Sequence, residues 1–446
     1  MNERLKLFPS TACIGEEGEL RVGGCSAPAL AGEFGTPLYV FDEIMLRERC
    51  RAYRQALARH YAGWGRVAYA SKAGLNLALA QLIEQEGLSL DVVSGGELFV
   101  ARRAGFPAGR IHLHGNNKSP AELRAALDAG VERIVVDNMY ELDLLERLAA
   151  ERDVTVPIWL RLSPGVDVHT HDYRKTGLLD SKFGIPIETG QAQQAVAQAL
   201  GSPHVELLGL HAHIGSQILE VAPFCVTADR LLGFAAGMKD AYGFELRELS
   251  PGGGWGIAYR PDEDAASIDS YVEKVTQAVV QACRRFGLPL PALTLEPGRS
   301  IVGPAAVALY RVGARKEIPQ VRTYVAVDGG MADNIRPALY GARYTAVAAE
   351  KAGQTPEETV TIAGRFCESG DVLIRDVELP RLEPGDLLAV PVVGAYSLPM
   401  ASNYNLVPRP AVVLVRDGQA QLIQRRESLE ELVARDFPLR DPEEES

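Results

Sequence analysis

Val67-Ala-Tyr-Ala-Ser71, Leu88-Ser-Leu-Asp-Val-Val93, Ile111-His-Leu-His-Gly115, Arg133-Ile-Val-Val-Asp137 and Pro157-Ile-Trp-Leu-Arg-Leu162 lie within one stretch of the chain. Each is a short apolar, strand-like run, and successive runs begin about 22 residues apart. That interval holds a strand, a turn, a three-turn helix and a second turn. Helix-period patterns fill the gaps at 75–85, 97–104, 120–129 and 140–151. Three longer units continue the rhythm, with strand-like runs at 206–214, 246–249 and 293–296. Eight β/α units in succession predict an α/β fold built on a closed, parallel, TIM-like (β/α)8 barrel. An open doubly wound sheet is the alternative on pattern alone.

After Gly298 strand-like segments dominate, among them Val307-Ala-Leu-Tyr-Arg-Val-Gly-Ala-Arg315 and Asp386-Leu-Leu-Ala-Val-Pro-Val-Val-Gly-Ala-Tyr396. Asp417-Gly418 between two alternating runs is a hairpin signal. The first forty residues lack helical period and contain the strand-like runs Gly18-Glu-Leu-Arg-Val-Gly-Gly24 and Thr36-Pro-Leu-Tyr-Val-Phe41. The expected organisation is an N-terminal segment, 1–36, joining the β domain, a barrel over 37–298, a C-terminal mostly-β domain over 299–432 and an acidic tail over 433–446.

The chain has 446 residues, 47% hydrophobic and 23% charged, enough for a sizeable core and unlike a disordered chain, a collagen or a coiled-coil rod. No apolar run approaches the ~18 residues of a membrane helix. The start does not read as a secretory signal, so a cytoplasmic protein is expected. A net charge of −12 argues against a nucleic-acid partner. The six cysteines are scattered with no CxxC pair, which suggests neither a structural zinc site nor a disulfide framework.

In a barrel, chemistry belongs where strands end. Lys72 stands at such a place in Tyr69-Ala-Ser-Lys-Ala-Gly74, where partial burial would free its amine as a nucleophile; a surface lysine is the plain alternative. His211 and His213, in His211-Ala-His-Ile-Gly-Ser-Gln217, share a face by alternation; a satisfied structural histidine is the alternative, and no third metal ligand is nearby in sequence. Ser250-Pro-Gly-Gly-Gly-Trp-Gly256 leaves backbone N–H groups able to approach a phosphate, although tight turns use glycines too. Glu296-Pro-Gly-Arg-Ser300 places a carboxylate and a guanidinium together, as an anion site or as a structural ion pair. Arg336, the run Phe366-Cys-Glu-Ser-Gly-Asp371 and Tyr396 come from the β region. Jointly, a lysine, a phosphate-type glycine loop and a carboxylate suited to a ring nitrogen, with no metal set, point to pyridoxal 5′-phosphate.

These motifs resemble the fold-type III PLP-dependent decarboxylases, specifically their diaminopimelate decarboxylase branch. The resemblance runs from about Gly35 to Arg435 and rests on ordered motifs. They include Tyr-Ala-Ser-Lys-Ala, Asp91-Val-Val-Ser-Gly-Gly-Glu97, Ser181-Lys-Phe-Gly184, Glu-Pro-Gly-Arg, Ile335-Arg-Pro-Ala-Leu-Tyr340 and Cys367-Glu-Ser-Gly-Asp371. It implies an alanine-racemase-like barrel with a β domain. It implies further that Lys72 holds PLP as a Schiff base, that His213 stacks on its ring, and that Glu296 pairs with the ring nitrogen. Asp91 joins the cofactor-binding set, while Ser216, Gly253, Gly254, Arg299 and Tyr396 surround the phosphate. Arg299, Arg336, Tyr340 and Tyr396 are expected on the substrate, with Glu368 on its far amino group and Cys367 returning a proton. The implied active unit is a homodimer whose sites share Cys367 and Glu368. The implied reaction takes meso-2,6-diaminopimelate to L-lysine and carbon dioxide, the last step of lysine biosynthesis.

Gly74 and Ala212 stand where many relatives carry Asn and Cys, and the segment after Asp371 is less typical. The rivals are a sibling decarboxylase for another amino acid with a carboxylated far end, a racemase on the same barrel, and a non-catalytic regulator.

Overall fold

Eight parallel strands follow one another in the order expected. They are β1 (Gly65–Ala70), β2 (Ser89–Val92), β3 (Ile111–Leu113), β4 (Arg133–Val136), β5 (Val156–Ser163), β6 (Val205–His211), β7 (Glu248–Ser250) and β8 (Ala292–Leu295). Each pairs with its neighbours, β8 returns to β1 and β4 pairs with β5, so the barrel is closed. A short extra strand, Ile185–Pro186, lies along β5. The computed structural model describes residues 3–166 and 181–439, and the acidic end 441–446 lies outside the described residues. No helix among the described residues is long and apolar enough to cross a membrane.

The residues that leave the strands also start the helices. Ser94, Ser119 and Asn138 each accept the backbone N–H of a glutamate three positions on, Glu97, Glu122 and Glu141. At Ser119 the glutamate answers with its own side chain to complete a capping box, and Pro120 pre-sets the first helical turn. Asn76 caps Leu77–Gln85 in the same manner. Because a barrel strand is buried on both faces, its sequence reads as an unbroken apolar run. In β4, Ile134, Val135 and Val136 are all buried.

Charged residues fill the end of the barrel where its strands begin. Arg133 grips Glu248 through two nitrogens at 2.7 and 2.6 Å. Trp159 Nε1 donates to the same carboxylate at 2.5 Å, and Arg66 pairs with Glu132. A half-buried network of this sort orders the interior, and removing one member would strand a partner's charge.

Residues up to Ser10, Glu43–Ala305 and Gly394–Pro399 form one compact unit with the barrel; Thr11–Asp42, Ala306–Val393 and the chain from Met400 form the other. The boundaries therefore fall after Asp42 and Ala305, not at 36 and 298. The reason is the strand Leu38–Asp42, whose five residues are all buried. It pairs antiparallel with Ala306–Leu309 and parallel with Ala411–Val415. The second unit is mostly β. The long strand Ala306–Ile318 pairs with Leu38–Asp42, Arg322–Val327 and Leu387–Pro391. Asp417 and Gly418, both at positive φ, make the two-residue turn of the hairpin from Ala411–Arg416 to Gln419–Gln424. All six cysteines are free, and burial pushes the Cys50 thiol up to about 12.

Candidate active site

Lys72 lies in a single 3-10 turn, Ser71–Ala73, directly after β1. The turn is fixed on both sides. Ser71 donates its hydroxyl to Glu97 at 2.5 Å, and the carbonyl of Ala73 accepts the N–H of Tyr396 at 2.8 Å. Glu97 also accepts the N–H of Val93 at 2.7 Å, which explains the glutamate that ends the Asp-Val-Val-Ser-Gly-Gly-Glu run. Burial pushes the Glu97 carboxyl above the usual carboxylate range, while Ser71, Val93 and the Lys72 charge pull the other way. Tyr396 itself sits at φ +60°, a conformation that a bulky residue adopts only when its surroundings hold it there.

Glu296 follows β8 and is buried. Its Oε2 accepts from His211 Nε2 at 3.0 Å, and its Oε1 accepts from the Ser250 hydroxyl at 2.6 Å. Burial would raise its proton affinity, but the histidine partner wins and holds the carboxyl below its ordinary range. His213 lies beyond the end of β6, half-buried, and its Nδ1 accepts the N–H of Gly253 at 3.4 Å. Burial, then the charges of Lys72 and Arg161, hold this imidazole far below its usual value, so it is neutral.

The glycine run is required by close backbone packing. A Cβ on Gly253 would lie 1.8 Å from the Glu296 carbonyl oxygen. One on Gly254, at φ +105°, would lie 2.0 Å from that of Gly215. Beside this run Arg299 is buried, and among the described residues its guanidinium nitrogens have only neutral hydrogen-bond partners. Nη1 donates to the Tyr259 hydroxyl at 2.5 Å and Nη2 to Ser216 at 3.0 Å, while Nε is buried without an acceptor among the described residues. Its carbon ζ lies 4.6 Å from the Tyr396 ring centre. A buried cation balanced by hydroxyls and an aromatic face is built to take an anion. With a lysine in a fixed turn and an ionised buried carboxylate on the same rim, these residues fit a phosphorylated pyridine aldehyde.

Asp91, expected among the cofactor contacts, faces two histidines, His112 Nδ1 at 3.1 Å and His114 Nε2 at 3.5 Å. Those histidines hold its carboxyl well down against the opposing effect of burial. The sequence offered no third metal ligand near His211, yet the barrel brings His114 and Glu296 to it. In that trio Glu296 takes the hydrogen bond from His211, and no metal is needed to explain the arrangement.

Arg336, Tyr340, Cys367 and Glu368 belong to the second unit. Arg336 is buried at the start of the short helix Arg336–Tyr340 and donates to the Tyr344 hydroxyl. Cys367 and Glu368 sit exposed on a turn anchored by Asp371. Asp371 Oδ2 accepts the N–H of Phe366 at 2.8 Å and Oδ1 that of Met331 at 2.7 Å. This one carboxylate thus ties the segment entering Arg336 to the turn carrying the thiol. Gly330 and Gly364 are required beside it, since a Cβ on either would fall within 2.5 Å of at least one of its oxygens.

Sequence reasoning missed Ser250, Arg161, Tyr259 and Glu97. Ser250 and Arg161 are polar residues near the C-terminal ends of barrel strands, where such residues signal function. Tyr259 and Glu97 lie outside the strands; Glu97 ends a recognised motif and stands three residues after its cap Ser94, but its bond to Ser71 is set by distant chain.

Comparison with known proteins places the chain in a family. The family described as pyridoxal-dependent decarboxylase, pyridoxal binding domain, matches residues 44–303. The diaminopimelate decarboxylase of Bacillus subtilis is 51% identical over 426 residues, 95% of this chain and 97% of that one. The crystal structure of M. jannaschii diaminopimelate decarboxylase in complex with L-lysine superposes with a TM-score of 0.89 at 36% identity, covering 96% of this chain and 98% of that one. The Helicobacter pylori enzyme, also complexed with L-lysine, gives 0.83 at 31% identity over 91% of this chain and 98% of that one. The chain belongs to the diaminopimelate decarboxylases, within the pyridoxal-dependent decarboxylase family.

Proposed function

We propose that this chain removes carbon dioxide from meso-2,6-diaminopimelate to give L-lysine, using pyridoxal 5′-phosphate. The observation that carries the reading is the triad on the barrel rim: Lys72 in a fixed turn, an ionised Glu296, and an Arg299 cation with no acid hydrogen-bond partner among the described residues. Arg299, Ser216, Gly253, Gly254 and Tyr396 would hold the phosphate. Lys72 would hold the cofactor covalently, with His213 at its ring, Glu296 at its nitrogen and Asp91 behind through the histidines. When bound, the cofactor supplies a sink for the electron pair left by the departing carboxylate.

The chain's own groups do the rest. Glu296 holds a proton at the ring nitrogen. The neutral His213 presents an uncharged ring face and adds no competing positive charge. Arg336 and Tyr340 bind the far carboxylate of the substrate, alongside Arg299 and Tyr396, and Glu368 takes the far ammonium. A guanidinium favours a diacid and disfavours ornithine or lysine, whose far end is a bare cation. The Cys367 thiol delivers a proton to Cα once carbon dioxide has left. Cys367 and Glu368 are exposed on the single chain, which supports a homodimer in which each chain lends these residues to its partner. The cytoplasmic setting expected from the sequence is part of the same proposal.

The test is carbon dioxide release with added cofactor across meso-diaminopimelate, lysine, ornithine and arginine. Strong preference for diaminopimelate is expected. Equal or faster release from lysine or ornithine would overturn the substrate assignment.

A further inference from the structure

We propose that His211 and Ser250 are positioning residues that keep Glu296 a weak base, so that the proton shared with the cofactor's ring nitrogen stays on nitrogen. This rests on the reading of Glu296 as the partner of that nitrogen.

A carboxylate as buried as Glu296 would, by itself, draw a proton. Two donors oppose this, one on each oxygen: His211 Nε2 at 3.0 Å and the Ser250 hydroxyl at 2.6 Å. Both are fixed in direction. An ionised carboxylate only accepts, so Nε2 must carry the hydrogen. His211 Nδ1 is buried and has no partner among the described residues, so a second proton on that ring would have nothing to meet. Burial accordingly holds His211 down to about 4, and it serves as a neutral donor. Ser250 is aimed by its own acceptor role: the N–H of Gly252 donates into its oxygen at 3.1 Å, leaving the hydroxyl hydrogen for Glu296.

Charges from several elements face the same carboxylate. Asp91 on β2 raises its proton affinity, and His114, after β3, lowers it. Arg161 on β5 lies within reach of its field. None of these three makes a hydrogen bond to Glu296, whereas the two donors act directly on its oxygens. Without them the proton would move: the ring N–H bond breaks, an O–H bond forms on Glu296, and both groups end neutral. The ring would then be a poorer electron sink.

The experiment loads the full-length protein with cofactor labelled with 15N at the ring nitrogen and reads the 15N shift between pH 6 and 9. The wild type should show the protonated position throughout. His211→Phe and Ser250→Ala should move the signal toward the unprotonated position. His211→Gln, which retains an N–H donor, should recover most of it. Turnover should follow in kcat rather than KM, by about tenfold per donor lost, the equivalent of one pKa unit. Should His211→Phe fail to fold, Ser250→Ala, which removes a single oxygen, reads the same quantity. An unmoved 15N shift in variants that hold the cofactor would overturn this inference alone, as would a His211→Gln signal as displaced as that of His211→Phe. Failure of the wild type to take up the cofactor would overturn the functional reading with it.

Discussion

The backbone N–H of Tyr396 donates to the carbonyl of Ala73 at 2.8 Å, so a tyrosine more than three hundred residues later in the chain is fastened to the residue after Lys72. The same tyrosine lays its ring over Arg299. One loop thereby fixes both the covalent and the anionic ends of the proposed cofactor site.

Replacing Lys72 by alanine should abolish the visible absorbance of the bound cofactor. Turnover should fall by at least ~10⁴-fold, the scale of losing a covalent catalyst. Lys118, also near the rim, cannot substitute, because it is buried against Glu141 at 2.6 Å and two carbonyls at 2.8 and 2.7 Å. A mutant that keeps both band and activity would place the cofactor on another lysine.

Cys367→Ala chains should bind cofactor and substrate yet return the proton poorly. Mixed in equal amounts with Lys72→Ala chains, they should regain up to ~25% of wild-type activity, since random pairing makes half the dimers mixed and each mixed dimer has one intact site. Activity that stays at the level of the separate mutants after subunit exchange would rule out lending of Cys367 between chains.

Arg336→Ala tests the far carboxylate. Charge-assisted hydrogen bonds contribute on the order of 1.5–3 kcal/mol, so kcat/KM for diaminopimelate should drop by ~10- to 200-fold. Absorbance of the bound cofactor should be retained and serves as the control for folding. Discrimination against lysine should weaken in parallel. An unchanged kcat/KM would point to a sibling substrate.

Asp333 predicts a pH effect on stability. It is buried in the second unit, where Tyr310 and Tyr39 donate to Oδ2 at 2.5 and 3.1 Å and the N–H of Gly330 donates to Oδ1 at 2.8 Å. Burial nevertheless pushes its carboxyl from an ordinary 3.8 up to about 6. The folded state therefore holds a proton that the unfolded chain has released between those values, so stability is full below pH ~4 and is lost as pH rises through ~6, by up to ~3 kcal/mol. Urea unfolding across that window should show the decline in wild type and not in Asp333→Asn. Parallel profiles would refute the assignment.

The barrel was legible because its signal is local. A buried parallel strand is an apolar run, and Ser-x-x-Glu marks the helix that follows, so a 22-residue rhythm announces each unit. Lys72, Glu296 and Arg299 were legible for a related reason, since they are polar residues at strand ends. Other features were not, because their meaning is set by distant chain. Leu38–Asp42 reads as a strand joining the β domain, but that the boundary falls after it shows only once Ala306–Leu309 pairs with it. Asp91 lies in a recognisable motif, yet its partners His112 and His114 come from the next strand and the loop beyond it. His211 reads as an isolated histidine until β8 brings Glu296 beside it.

Leu38–Asp42 also sets a timetable for synthesis. The strand is made early, but its antiparallel neighbour begins only at Ala306, after the whole barrel, and its parallel neighbour only at Ala411. At ~5–20 residues per second the intervening chain takes roughly 13–50 s to emerge from the ribosome. Throughout that interval five apolar-rich residues lack both of the strands that pair with their backbone. The nascent chain is thus most exposed to aggregation before residue 306 emerges, and slowing translation across the barrel would lengthen that exposure.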